Sequence, residues 1–294
     1  MRFAWLSVAA ALATIGLKAV AWLLTGSVGL LSDTLESLVN LFGAAMTLLM
    51  LTVAAWPPDA RHPYGHTKAE YLAAGMEGAL VLLAAAAIGW AAVQRLLAPR
   101  PIEQAGLGLA ISVAASLVNL WVARVLLAAG RRHRSIALEA DARHLLTDVW
   151  TTAGVLAGIG GVSLTGWERL DPIAALLVAG NIVRTGVSLV RRAASGLLDA
   201  ALSPQEQEAI GRVLERHAAA EIRFHAVLTR QAGSRRFVSM HVLVPGRWTV
   251  ARGHALLEQI ERDVRGELPH CTVATHLEAL EDPSAYLDER LDRD

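Results

Sequence analysis

Residues 69–97 read AEYLAAGMEGALVLLAAAAIGWAAVQRLL, and this stretch decides the fold. Its only charged side chains are Glu70, Glu77 and Arg95. About 20 mainly apolar residues suffice to cross the hydrocarbon core of a bilayer. Working outward, five more stretches meet that standard: 3–24, 28–55, 105–129, 138–163 and 171–190. The breaks fall at Thr25-Gly26-Ser27, from Trp56-Pro57-Pro58 to Thr67, at Pro99-Arg100-Pro101, at Arg131-Arg132-His133-Arg134 and around Gly166. Backbone polar groups in lipid must pair within their own segment, so each stretch is expected to be a helix. Six such runs are too long and too poor in charge for the buried helices of a soluble bundle.

The charge distribution separates a second region. The chain has 294 residues and a formal net charge of zero, with 54 % hydrophobic and 18 % charged residues. Residues 1–202 hold 15 basic and 12 acidic side chains, and the remaining 92 residues hold 12 and 15. Half the charge therefore lies in less than a third of the chain, which reads as a membrane domain over 1–199 and a soluble domain over 200–294. Zero net charge and a tail without basic clusters argue against nucleic acid as a partner. A single cysteine, Cys271, excludes an internal disulfide and a cysteine-based zinc site. The apolar stretch after Arg2 is too long for a cleavable signal, so none is expected. Near the ends of the spans, Arg2, Arg61, Lys68, Arg131, Arg132, Arg134, Arg191 and Arg192 fall on one side, against Arg95, Arg100 and Arg169 on the other. The positive-inside rule then puts both termini and the tail in the cytoplasm.

Ionisable residues inside a membrane are costly and point to function. The second segment carries Glu36 and Asn40, and the fifth carries His144 and Asp148. Each pair has i, i+4 spacing, which sets two side chains on one helix face, one turn apart. Facing each other, the pairs offer one imidazole, two carboxylates and an amide oxygen, a donor set for a four-coordinate divalent cation such as Zn²⁺. The same residues could instead form a polar network that locks two helices together. Glu77 is expected to pair with Arg124 or Arg184, or to belong to the transport path. The loop after the second segment offers Asp59, His62 and His66 within eight residues, either as a second metal site or as solvated side chains.

In the tail, Ser203-Pro204 with Glu206 reads as a helix start, an N-cap followed by Pro at the first helical position. A helix to about Ala219, strands at 223–231 and 236–244, a helix at 249–265 and a strand at 271–278 give the order α-β-β-α-β, a small α/β sandwich. His225, His241, His254 and His276 are spread over it, and Glu278 shares a strand face with His276. Spacing alone does not join these histidines into a site.

Taken together, these features resemble the cation diffusion facilitator family, particularly its bacterial zinc and iron exporters of the YiiP type. The resemblance rests on Thr25-Gly26-Ser27-Val28, on Ser37-Leu38-Val39 within the Glu36/Asn40 pair, and on His62-Pro63-Tyr64-Gly65-His66-Thr67-Lys68-Ala69-Glu70. It rests further on His144 to Asp148, on Leu197-Leu198-Asp199 and on Thr229-Arg230-Gln231-Ala232-Gly233. Their order and spacing run over nearly the whole chain. The resemblance implies a homodimer with six transmembrane helices per protomer and a metallochaperone-like cytoplasmic domain. It implies a transport site at Glu36, Asn40, His144 and Asp148, and a loop site at Asp59, His62 and His66. It implies a binuclear site at His225, His241, His254, His276 and Glu278, and a charge interlock of Lys68 with Asp199 that holds the dimer. The family pattern has Asp at both positions occupied here by Glu36 and Asn40, and Asp where this tail has Glu278.

The expected activity is proton-coupled antiport at the bacterial inner membrane, exporting a divalent cation: Zn²⁺ foremost, with Fe²⁺, Mn²⁺, Co²⁺ or Cd²⁺ as further candidates. The metal is cargo and regulator, and no cofactor is expected. Two alternatives are a membrane-anchored metal sensor and a metal-dependent intramembrane enzyme. The sequence has no H-E-x-x-H for the enzyme, and no G-x-x-x-x-G-K-[ST] loop for a pump driven by ATP.

Overall fold

A computed structural model describes residues 2–25, 28–98, 106–167 and 169–288, except the side chains of 21–22, 24–25, 28–36, 38–40, 106–109, 112, 151, 155–156, 158–163 and 171. The chain divides into two compact units, Met1–Ala194 and Ser195–Asp294.

The first unit is helical: α1 (Arg2–Thr25), α2 (Val28–Ala54), α3 (Ala69–Leu97), α4 (Gly106–His133), α5 (Ile136–Thr165) and most of α6 (Leu170–Leu197). Among the described residues four stretches are long and apolar enough to cross a membrane: Arg2–Val20, Ala69–Leu97, Val113–His133 and Pro172–Leu197. The basic run expected to break the chain at 131–134 instead continues α4 through His133, and Arg134 alone turns left-handed at φ 53°. Two arginines at a helix C-terminus, Arg131 and Arg132, complement its dipole, which accounts for the extension.

Small residues set the helix packing. A methyl group on Gly78 of α3 would lie 2.9 Å from Val190 of α6, and one on Gly186 of α6 would lie 2.8 Å from Leu82 of α3. Gly154 of α5 likewise leaves room for Val178 of α6. Without a hydrophobic driving force in lipid, this close backbone approach is what gives helices their dispersion contact. Ala4, Val122, Ala123, Leu126, Leu138 and Leu145 pack α1, α4 and α5 into one core. At the start of α5, Ser135 Oγ donates to Glu70 Oε2 of α3 at 2.5 Å, which fixes α3 beside α5.

The second unit contains α7 (Pro204–His217), β1 (Arg223–Ala232), β2 (Arg235–Val244), α8 (Val250–Glu267), β3 (Cys271–Ala279) and a 3₁₀ turn, Pro283–Asp288. A capping box opens α7: Ser203 accepts from the Glu206 amide while the Glu206 side chain accepts from the Ser203 amide. The sheet has the order β1-β2-β3, with β1 antiparallel and β3 parallel to β2. Val238, Met240 and Val242 of β2 and Val273 of β3 face Ile210 and Val213 of α7 and Ile260 and Val264 of α8. Side chains alternate along a strand, so the residues between them line the sheet's other face.

Candidate metal centres

In the membrane unit α5 sets Asp141, His144 and Asp148 on one face, at i, i+3 and i+7. His144 Nδ1 lies 2.6 Å from Glu77 Oε2 of α3, and both side chains are buried. Thr47 Oγ1 of α2 donates to Glu77 Oε1 at 3.5 Å, and Gly43 one turn earlier in α2 lies against the same carboxylate. On the Asp148 side, Asn119 Nδ2 of α4 donates to Asp148 Oδ2 at 3.3 Å. Asp141, Glu77 and Asp148 all act electrostatically on His144. Glu36 and Asn40 belong to α2, and their side chains lie outside the described residues.

Glu77 is therefore a partner of His144, which corrects the expected pairing with Arg124 or Arg184. Both arginines are exposed, whereas the Glu77 side chain is fully buried. Asp141, which sequence reading did not single out, has Glu77, His144 and the Ser7 hydroxyl as its polar neighbours. Its i−3 position from His144 was the available signal.

The loop group forms a tight nest. Asp59 Oδ1 accepts from the backbone amides of Arg61 at 2.8 Å and His62 at 2.7 Å. His62 Nδ1 lies 3.2 Å from Asp59 Oδ1, and His66 Nε2 lies 3.0 Å from His62 Nδ1. The His62 amide beside it, above all, holds the Asp59 carboxyl below the usual carboxylate range. Gly65 makes the intervening turn at φ 87°, a conformation that favours glycine. The three ligand atoms lie within 4.8 Å of one another, as a single cation requires.

In the tail, one residue from each strand meets on the sheet face away from the helices. Glu278 Oε2 of β3 lies 2.7 Å from His225 Nε2 of β1, and its Oε1 lies 3.0 Å from His241 Nδ1 of β2. These donors also lie within 4.8 Å of one another. A register shift in β1 between His225 and Leu228, with Ala226 at φ 47°, accompanies the placement of His225. His276 pairs across the ladder with His241, its ring centroid 5.0 Å away. His254 is not gathered with them in one chain: it is exposed on α8, which packs on the opposite face of the sheet. Asp199, at φ 58°, accepts from Arg230 Nη1 at 3.0 Å, and Arg230 in turn stacks over Phe237. Lys68 precedes α3 and belongs to the other unit.

Three donor sets of imidazole and carboxylate, one of them buried among apolar helices, describe a protein that handles cations in a membrane. A family model for the cation efflux transmembrane domain matches residues 4–198, and one for the cation efflux protein cytoplasmic domain matches residues 202–280. The chain belongs to the cation diffusion facilitator family. It is similar to the transporter sll1263 of Synechocystis sp., with 50 % identity over 97 % of this chain and 92 % of that one. It is similar to the cation-efflux pump FieF of Klebsiella pneumoniae, with 30 % identity over 97 % and 93 %. Among solved structures, the metal-bound C-terminal domain of the CzcD transporter from Thermotoga maritima covers 27 % of this chain and 92 % of its own, at 26 % identity and a TM-score of 0.25. As a cation diffusion facilitator the chain is an integral membrane protein for efflux of metal cations, with a helical membrane domain and a small cytoplasmic α/β domain.

Proposed function

We propose that this cation diffusion facilitator is a proton-coupled antiporter that exports a divalent transition-metal cation, Zn²⁺ foremost, with Fe²⁺ or Mn²⁺ as further cargo. Six helices per protomer span the bacterial inner membrane with both termini in the cytoplasm. The transport site is Glu36, Asn40, His144 and Asp148. The single observation that carries the reading is the buried imidazole of His144, set among carboxylates of α3 and α5. A histidine in such a place binds metal as the neutral base, so protons and metal compete for the same donors. Cation entering from the cytoplasm displaces protons. After the site opens to the outer face, protons arriving there displace the cation, which gives exchange around one site by alternating access.

Asp59, His62 and His66 form a loop site near the cytoplasmic mouth. The tail site is built on His225, His241, Glu278 and His276, and a second copy of the chain brings His254 to it in a homodimer braced by Lys68 and Asp199. Metal held there favours one packing of the two tails and so reports the cytoplasmic metal level. The His225–His241–Glu278 group would serve a non-transporting sensor equally well, and flux separates the two. Purified protein in liposomes with an imposed pH gradient is expected to move Zn²⁺ against the proton gradient. Zn²⁺ bound without flux would leave the sensor.

A further inference from the structure

We infer that Glu77 and Asp141 bind the transported cation together with His144, so that α3 contributes a carboxylate to the transport path. This rests on the proposed transport reading. Glu77, Asp141 and His144 are 2 %, 3 % and 6 % exposed. If His144 carried a proton, its single positive charge would still face the carboxylates of Glu77, Asp141 and Asp148, and among the described residues the charged neighbours of Asp141 are Glu77 and His144. A buried carboxylate without a cation or full hydrogen bonding is strongly disfavoured. Among the described residues, the buried Asp141 Oδ2 makes no hydrogen bond of ordinary geometry, the Ser7 hydroxyl being its nearby donor. Two carboxylates, an imidazole and a hydroxyl that converge while bonds remain unmade form a donor set to which a divalent cation supplies the missing charge.

The second helix shapes itself to this site. A methyl group on Gly43 would lie 2.6 Å from Glu77 Oε1, so α2 leaves space for the α3 carboxylate about one turn after position 40 in the sequence. Asn40 is uncharged, and Glu77 brings a charge to α2 from outside the helix. The arrangement gives Glu77 a role a structural clamp would not have: its charge should be exchangeable with a carboxylate at position 40.

The test is Zn²⁺ flux in proteoliposomes with Glu77→Gln, Asn40→Asp, the double variant and Asp148→Ala, each checked for monodispersity. Glu77→Gln keeps the shape and removes the charge, so the KM for Zn²⁺ should rise at least about tenfold, the scale of losing a group that sets a metal site. Adding Asn40→Asp should recover most of that loss. A KM within about twofold of the parent, or a raised KM that Asn40→Asp does not relieve, overturns the inference. A fall in maximal rate at unchanged KM also overturns it, because that is the signature of a clamp. Should Glu77→Gln not fold, Glu77→Met, uncharged and of similar length, takes its place with the same criteria. Asp148→Ala keeps the two levels apart. If it transports normally, the transport reading itself fails; if it is inactive while Glu77→Gln is normal, only the α3 contribution fails.

Discussion

Replacing Gly43 with Ala adds one methyl group at the point where α2 meets the buried carboxylate of α3. That carbon would stand 2.6 Å from Glu77 Oε1 and 3.1 Å from its Cδ and Oε2. Ordinary van der Waals contact lies nearer 3.4 Å, so Oε1 must retreat by about 0.8 Å. The retreating atom is the end of a flexible side chain, and the helix itself gains about 0.8–1 kcal/mol from Ala over Gly. Fold stability should therefore change little. The His144 Nδ1–Glu77 Oε2 contact, at 2.6 Å, has no such slack. A displacement of that size moves the Glu77 carboxylate away from the His144 imidazole with which it is to share the cation. Disturbing a group that sets a metal site costs about tenfold to hundredfold in hold on the cation. Zn²⁺ flux in proteoliposomes, paired with thermal unfolding of the detergent-solubilised protein, reads both halves. A Gly43→Ala protein with unaltered melting temperature and unaltered KM for Zn²⁺ would refute the claim that Glu77 needs its present position for transport.

Three further outcomes follow from the other donors. Asp148→Ala removes a charge and a donor together, so Zn²⁺ uptake into inside-out vesicles should collapse while the dimer persists on size-exclusion chromatography; normal uptake would refute the site assignment. Glu278→Gln loosens both imidazoles that Glu278 now holds, at 2.7 and 3.0 Å. Equilibrium dialysis of the full chain should then show about one Zn²⁺ fewer per protomer by the one-cation-per-cluster reading, and retained stoichiometry would place the tail metal elsewhere. Burial above all pushes the Cys271 thiol up to about 11 from an ordinary 9.0. Iodoacetamide should label it slowly at neutral pH, since the thiolate is the nucleophile. The unfolded chain releases that proton first, so this contribution to stability is complete below the ordinary value and is lost as pH rises from 9 to 11. Rapid labelling of the folded protein, or stability that does not fall across that window, would contradict the burial argument.

Local signals carried much of the architecture into view. Ser203, Pro204 and Glu206 announce α7 because a helix cap is decided within four residues, and the capping box is present. Apolar length likewise marked 69–97, and α3 runs over those residues. Boundaries slipped where charge favoured continuation, as in the basic end of α4. For the sites, proximity in sequence was the measure of legibility. Asp59, His62 and His66 meet within one turn of loop, whose geometry their own spacing and Gly65 specify. His225, His241 and Glu278 meet only because β2 pairs with β1 on one side and β3 on the other, and no spacing rule encodes that register. The same register explains why His254 stays apart in one chain: α8 must bury its apolar face on the opposite side of the sheet. Glu77 is the sharpest case. Its depth in an apolar helix singled it out, but its partner lies 67 positions away, on a helix two elements later. Choosing His144 over an arginine required knowing which face of α3 meets α5, where Ser135 at the start of α5 bonds Glu70, while Gly75 and Gly78 turn another part of α3 to α6. A carboxylate in lipid thus announces from sequence that it has a task, while the packing of small residues around it decides with whom.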